Sequence, residues 1–155
     1  MSEDNIGIYQ QKIECTIEEL ADIIKLSLGN VLKKVRITYR VKNAEDLKAK
    51  IVRKQFDNVF SIHDVYGIRI IVGSVSQAYI ALGIMRDNFP GYLANDFIKN
   101  PKVLSDLGLE GKSFKCLRFV AYKNNTSFEI QITTEKFHRV NESHHDVYHK
   151  TTYNL

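Results

Sequence analysis

The strongest constraint on this chain lies in "KCLRFVAYKNNTSFEIQITT", where two apolar runs flank a short polar turn. The pattern predicts a β-hairpin, with "KCLRFVAY" as one strand, "NNT" as the turn and "SFEIQIT" as the return. Side chains of an extended chain alternate between two faces. Phe128, Ile130 and Ile132 therefore share a core face, and Glu129, Gln131 and Thr133 share the other. A carboxylate in the middle of such a strand has two explanations. Either the second face meets water at a sheet edge, or the polar face of the sheet lines an active site.

Other segments set the fold class. "TIEELADIIKLSLGNVLKK" predicts a helix from Thr16 to Lys34, with Thr16 as N-cap, Glu19 completing a capping box, and Ile17, Leu20, Ile24 and Leu28 on the inner face. Gly29-Asn30 ends or interrupts it. "VRITYRV" reads as a strand and "AEDLKAKIVRKQF" as a helix with Leu47 and Ile51 inward. Val65 to Gly73, "VYGIRIIVG", reads as a buried strand. "SQAYIALGIMRDNF" reads as a helix capped by Ser76, "YLANDFI" as a strand, and Thr134 to about Lys150 as a final helix. Helices interspersed with strands, one pair of them a hairpin, predict an α+β domain: a mixed sheet of about five strands flanked by helices. A length of 155 residues suits a single domain, residues 1–155, with a helical segment over 1–34 and a core over 36–150.

Composition excludes some classes. No apolar run approaches the ~20 residues of a membrane span, and the start "MSEDNIG" has no secretory pattern. Cys15 and Cys116 form no CxxC, so a reducing cytoplasm is expected, with Cys116 a small buried hydrophobe. Nine of the 22 basic residues lie between Lys33 and Lys54, opposed only by Glu45 and Asp46. Such a run either attracts phosphate, on a nucleotide or a nucleic acid, or forms a solvated helix face.

Chemistry has three candidate parts. Asp64 precedes the buried strand, as a metal-binding carboxylate at a sheet rim or as a cap. Gly67 allows close approach, and Arg69 is a charge inside an apolar run that needs a partner or a cavity. With the basic run and Glu129, these are the parts phosphoryl-type transfer requires: cations for the polyphosphate, a carboxylate for Mg²⁺, and another to take a hydroxyl proton. His138, Glu142, His145 and His149 fall on one helical stripe, a metal site or a polar surface.

In this order the motifs resemble the synthetase domain of the RelA/SpoT family of (p)ppGpp synthetases, in a divergent form of the small alarmone synthetase type. "YRVKNAEDLKAKIVRK", "HDVYGIRIIV", "NDFIKNPK", "FEIQITTEKFH" and "HDVYHK" are similar, in family order, to its successive motifs from Arg36 to Lys150. The resemblance implies a nucleotidyltransferase-like fold and an Mg²⁺- and ATP-dependent pyrophosphokinase that makes (p)ppGpp from a guanine nucleotide. It implies ATP binding by Arg40, Lys42, Lys50, Arg53 and Arg69, metal binding by Asp64 and Glu129, catalysis by Glu129, Asp64 and Gln131, and acceptor binding by Lys102 and His138. The partners implied are ATP and the guanine nucleotide, with no membrane, and self-association into a homo-oligomer is left open.

The sequence departs from the family pattern in places. "VLSDLGLEGKSFKCLRF" stands where an N-G-Y and S-(I/L)-H stretch is expected, leaving Phe114 as a candidate stacking residue. Thr133 replaces an Arg, and Asp46 a Ser. Two alternatives follow: the same chemistry on an adenine nucleotide or a tRNA 3′ end, in the manner of toxins, or an inactive nucleotide-binding relative.

Overall fold

The structure, a computed structural model, describes residues 3–41, 66–103 and 113–143. Helix α1 spans Glu3–Gly29, strand β1 Arg36–Val41, strand β2 Tyr66–Val72 and helix α2 Val75–Asn88. Strand β3 spans Gly91–Asp96, β4 Lys102–Val103, β5 Ser113–Phe114, β6 Leu117–Lys123 and β7 Thr126–Thr134. Helix α3 covers 135–143. Five strands form one mixed sheet in the order β1-β2-β7-β6-β3, and β4 and β5 form a separate ribbon. The β2–β7 pair is parallel, while β1–β2, β6–β7 and β3–β6 are antiparallel. This is the α+β mixed sheet expected.

The central hairpin forms where its sequence predicts it, with a shorter turn, because Thr126, read as part of the turn, is the first residue of β7. Lys123 pairs with Thr126, leaving Asn124 and Asn125 as a two-residue loop with φ of 53° and 59°. Asn tolerates this left-handed conformation, and two such residues give the turn that matches strand twist. Phe128, Ile130 and Ile132 then face the core with Leu117, Phe119, Ala121, Ile68, Ile70 and Val72. Helices α1 and α2 cover that face with Ile17, Leu20, Ile24, Leu28, Ala78, Ala81, Leu82 and Met85. The α1 positions recur three and four apart, so the predicted stripe is the one buried.

Two helix starts differ from expectation. Thr16 is not an N-cap, because α1 begins thirteen residues earlier and Thr16 lies buried in its interior. No Gly or Pro interrupts "YQQKIEC", so the helix continues through the capping-box pattern. The cap of α2 is Ser74, not Ser76: its Oγ accepts from Gln77 N at 3.3 Å, while Gln77 Oε1 accepts from Gly73 N at 2.9 Å. Ser74 and Gln77 have the reciprocal spacing of a capping box; Ser76 has Tyr79 three residues on and does not. The segment read as the helix "AEDLKAKIVRKQF", with Leu47 and Ile51, lies outside the described residues.

The sheet edge depends on Gly91. A Cβ there would stand 2.0 Å from the Val120 carbonyl oxygen, against backbone that cannot swing away. Gly91 pairs with Ala121 at the start of β3, the strand that carries Asn95 into the polar face described below. Gly91→Ala is therefore expected to destabilise the fold by about 2 kcal/mol or more, in the upper range for overpacking. Urea denaturation followed by circular dichroism checks this, and an unchanged midpoint would contradict it.

Candidate active site

The face of the sheet away from α1 and α2 carries a continuous polar network. Its centre is Glu129 on the middle strand, only 6% exposed. Burying a carboxylate is costly unless donors replace water. Here Arg118 Nε donates to Glu129 Oε1 at 2.7 Å and Gln131 Nε2 donates to the same oxygen at 3.0 Å. Among the described residues Oε2 accepts no hydrogen bond. Arg118 NH1 donates to Asn95 Oδ1 at 2.6 Å, and Arg69 Nε donates to Gln131 Oε1 at 3.2 Å. Arg69 NH1 closes the series on Glu142 Oε1 at 2.7 Å.

Strand register explains why these groups meet. Gln131 lies opposite Arg118 on one side and Arg69 on the other. Glu129 lies opposite Gly67, which in turn lies opposite Arg40 of β1. Among the described residues a Cβ on Gly67 would meet no atom within 4 Å, so no described side chain fills the sheet floor next to Glu129. A bulge between Leu93 and Asn95 brings Asn95 opposite Arg118.

Helix α3 returns over this face. Thr134 Oγ1 caps it by accepting from Phe137 N at 3.1 Å. Asn141 is buried and spans both backbone groups of Lys115: its Oδ1 accepts from Lys115 N at 3.1 Å and its Nδ2 donates to Lys115 O at 2.9 Å. At the other end Arg36 meets Glu135 with two hydrogen bonds, at 2.7 and 2.9 Å, which hold the Glu135 carboxyl below the usual carboxylate range. Thr133 is buried and donates its hydroxyl to the Lys115 carbonyl at 3.0 Å.

The loop after β3 is shaped by Asp96. Its Oδ1 accepts from Lys99 N at 2.8 Å and Ile98 N at 3.1 Å, and its Oδ2 accepts from Tyr79 Oη at 2.7 Å. Burial opposes ionisation of Asp96, but these donors outweigh it and its carboxyl sits below the usual range. Burial and the Asp96 contact push the Tyr79 hydroxyl up to about 12. The turn leads to β4, where Lys102 lies opposite Phe114 of β5.

The structure thus brings Glu129, Gln131 and Arg69 into one network, with His138 beside it on α3. It places Arg40 in register with Gly67, and Lys102 in register with Phe114. Lys42, Lys50, Arg53, Asp64, His145 and His149 lie outside the described residues. Among the described residues no group of three or more His, Cys, Asp or Glu could hold a metal. Cys116 is buried as expected, just ahead of β6. No described helix is long and apolar enough to cross a membrane. Sequence reasoning missed Arg118 and Asn95. Arg118 carries the same signal that singled out Arg69, a charge inside an apolar strand. Asn95 carries none, because the bulge sets its register.

Comparison with known proteins decides the family. The sequence profile described as the region found in RelA / SpoT proteins matches residues 39–154. The chain belongs to the RelA/SpoT family. This RelA/SpoT chain is 32% identical over 120 residues to the probable chloroplastic GTP diphosphokinase RSH2 of Arabidopsis thaliana. That match covers 72% of the chain but 16% of the plant protein, so the chain spans about a sixth of the length of that relative. The small alarmone synthetase 1 of Bacillus subtilis has the same fold, with a TM-score of 0.70 at 20% identity, covering 96% of this chain and 78% of that one. The structure of that synthetase bound to its product pppGpp aligns with a TM-score of 0.69 at 20% identity, covering 97% and 82%.

His138 makes the network sensitive to pH. Its Nδ1 is buried without a hydrogen-bond partner among the described residues. Burial first, then the Arg69 cation and more weakly Arg36, lower its pKa from 6.5, against the pull of Glu142 and Glu135. The unfolded chain then binds the proton more readily than the folded one. The contribution of neutral His138 to stability is full above 6.5 and is lost as pH falls through the lowered folded value. Wild type should therefore lose more stability than His138→Gln between pH 7.5 and 5.5, read by urea denaturation at both values. Equal losses would contradict this.

Proposed function

We propose that this chain is an ATP-dependent pyrophosphokinase that moves the β,γ-pyrophosphate of ATP to the 3′-hydroxyl of a guanine nucleotide and releases AMP. One observation carries the reading. Glu129 is a buried carboxylate at the centre of a RelA/SpoT sheet, pinned through one oxygen, while among the described residues the other accepts no hydrogen bond and no atom stands within 4 Å of a Cβ placed on Gly67. The plant relative named as a GTP diphosphokinase and the structural neighbour bound to pppGpp support the substrate class.

In this reading the acceptor oxygen attacks the β-phosphorus of ATP. The bond from that phosphorus to the α,β-bridging oxygen breaks, and AMP leaves with the electron pair. Glu129 Oε2 takes the hydroxyl proton. Arg40, Lys42, Lys50 and Arg53 hold the ATP. Arg69 supports the donor side while orienting Gln131, and Lys102 and His138 meet the acceptor. Carboxylate oxygens are hard donors that suit Mg²⁺, and Asp64 and Glu129 are the residues that would hold it. Bound there, the ion would neutralise charge on the polyphosphate.

Incubation with γ-labelled ATP and Mg²⁺, offering GDP, GTP, ADP, ATP and bulk tRNA separately, tests the reading. Label is expected on GDP or GTP. Label confined to an adenine nucleotide or to tRNA would reassign the acceptor, and nucleotide binding without any transfer would make the chain an inactive relative. Glu129→Gln keeps an acceptor oxygen for Arg118 and Gln131 but cannot take the proton. Its transfer rate should fall at least about 100-fold, the low end for general base catalysis. Equal rates in wild type and variant would remove Glu129 from the chemistry.

A further inference from the structure

We propose that Arg118 is a positioning residue for Glu129, aiming the carboxylate so that Oε2 alone meets the acceptor hydroxyl. This rests on the pyrophosphokinase reading above.

The geometry favours aiming over simple charge pairing. A guanidinium is a rigid planar fork, so fixing two of its nitrogens fixes its plane. Arg118 is fixed in that way: Nε meets Glu129 Oε1 at 2.7 Å and NH1 meets Asn95 Oδ1 at 2.6 Å. The carboxylate is fixed in turn from two directions, since Gln131 Nε2 reaches the same Oε1 at 3.0 Å. Two donors on one oxygen engage its lone pairs and leave the other oxygen as the remaining acceptor. Gln131 cannot turn its amide freely, because Arg69 donates to its Oε1 at 3.2 Å. The carboxylate is thus held between two braced neighbours, Arg118 of the adjacent strand and Gln131 of its own.

Asn95 extends the brace to the loop that leads to Lys102. The bulge in β3 faces Asn95 toward Arg118, while the next residue, Asp96, organises the turn through Ile98 N and Lys99 N. A shift of that turn would be felt at Glu129 through Arg118. Reactions of this kind depend on placing the reacting oxygens within a fraction of an ångström, and this linkage ties the proton acceptor to the loop proposed to meet the acceptor nucleotide.

The test compares wild type, Arg118→Ala, Arg118→Lys, Asn95→Ala, Glu129→Gln and the Arg118→Ala/Glu129→Gln double variant, with labelled ATP and the best acceptor. Loss of an orienting partner typically costs about 10- to 100-fold in activity. We expect that loss in kcat for Arg118→Ala, with the KM for ATP within about twofold of wild type. Arg118→Lys keeps the charge without the fork and should lose most of the same kcat. Asn95→Ala, which leaves the charge pair intact, should lose a smaller factor in the same direction. In the double variant the residual rate should equal that of Glu129→Gln alone, because Arg118 acts through Glu129.

Multiplicative losses in the double variant would show Arg118 acting on substrate itself and overturn the proposal. So would full activity in both Arg118→Lys and Asn95→Ala. Those two variants also carry the test if Arg118→Ala does not fold. A wild type that transfers label to no acceptor would overturn the pyrophosphokinase reading and this proposal together. An active wild type with independent effects would overturn the proposal alone.

Discussion

A carboxylate on the middle strand of a sheet can be buried only if something else replaces its water, and much of the polar face is arranged around that requirement. Glu129 is 6% exposed, and an arginine of the adjacent strand β6 and a glutamine two residues along its own strand donate to it. Removing two charges from water costs several kcal/mol per ion before their attraction returns any of it, so such a pair is weak evidence of a stabilising role. A leucine at the same place would pack without that cost. The arrangement is easier to understand as one that tolerates a functional carboxylate than as one that uses it for folding.

The two faces of the sheet divide the labour. α1 and α2 bury one face against aliphatic and aromatic side chains, which supplies the main apolar core. With that face closed, the other is left for polar groups and for α3. The parallel β2–β7 pair matters here, because it sets Gly67 opposite Glu129 and Arg69 opposite Gln131. One register step in that pairing would put isoleucines where the network stands, since successive residues of a strand face opposite sides.

α3 holds the network from above by backbone contacts as well as charges. Asn141 takes both the N–H and the carbonyl of Lys115, and Thr133 donates to that same carbonyl. These buried neutral hydrogen bonds fix the helix more firmly than the half-exposed Arg36–Glu135 pair, which water screens. Thr133 thereby serves the join between β6, β7 and α3.

The sequence by itself determined the local elements and most of the polar candidates. Alternation in "FEIQIT" assigned Phe128, Ile130 and Ile132 to the core and Glu129 and Gln131 to the other face, because backbone geometry enforces a period of two. Asn124-Asn125 specified the hairpin, and helical spacing specified the buried stripe of α1. Helix starts were less legible, since a capping pattern such as Thr16–Glu19 marks a start only if the chain before it does not already form helix. Tertiary structure alone decided which polar groups meet. Arg118 and Glu129 are joined through a hairpin, but Asn95 reaches Arg118 from 23 residues away, Arg69 reaches Gln131 from 62, and Glu142 reaches Arg69 from 73. Those contacts depend on a strand bulge, a parallel register and the return of α3, each selected by packing of the whole sheet and not by the residues that flank it.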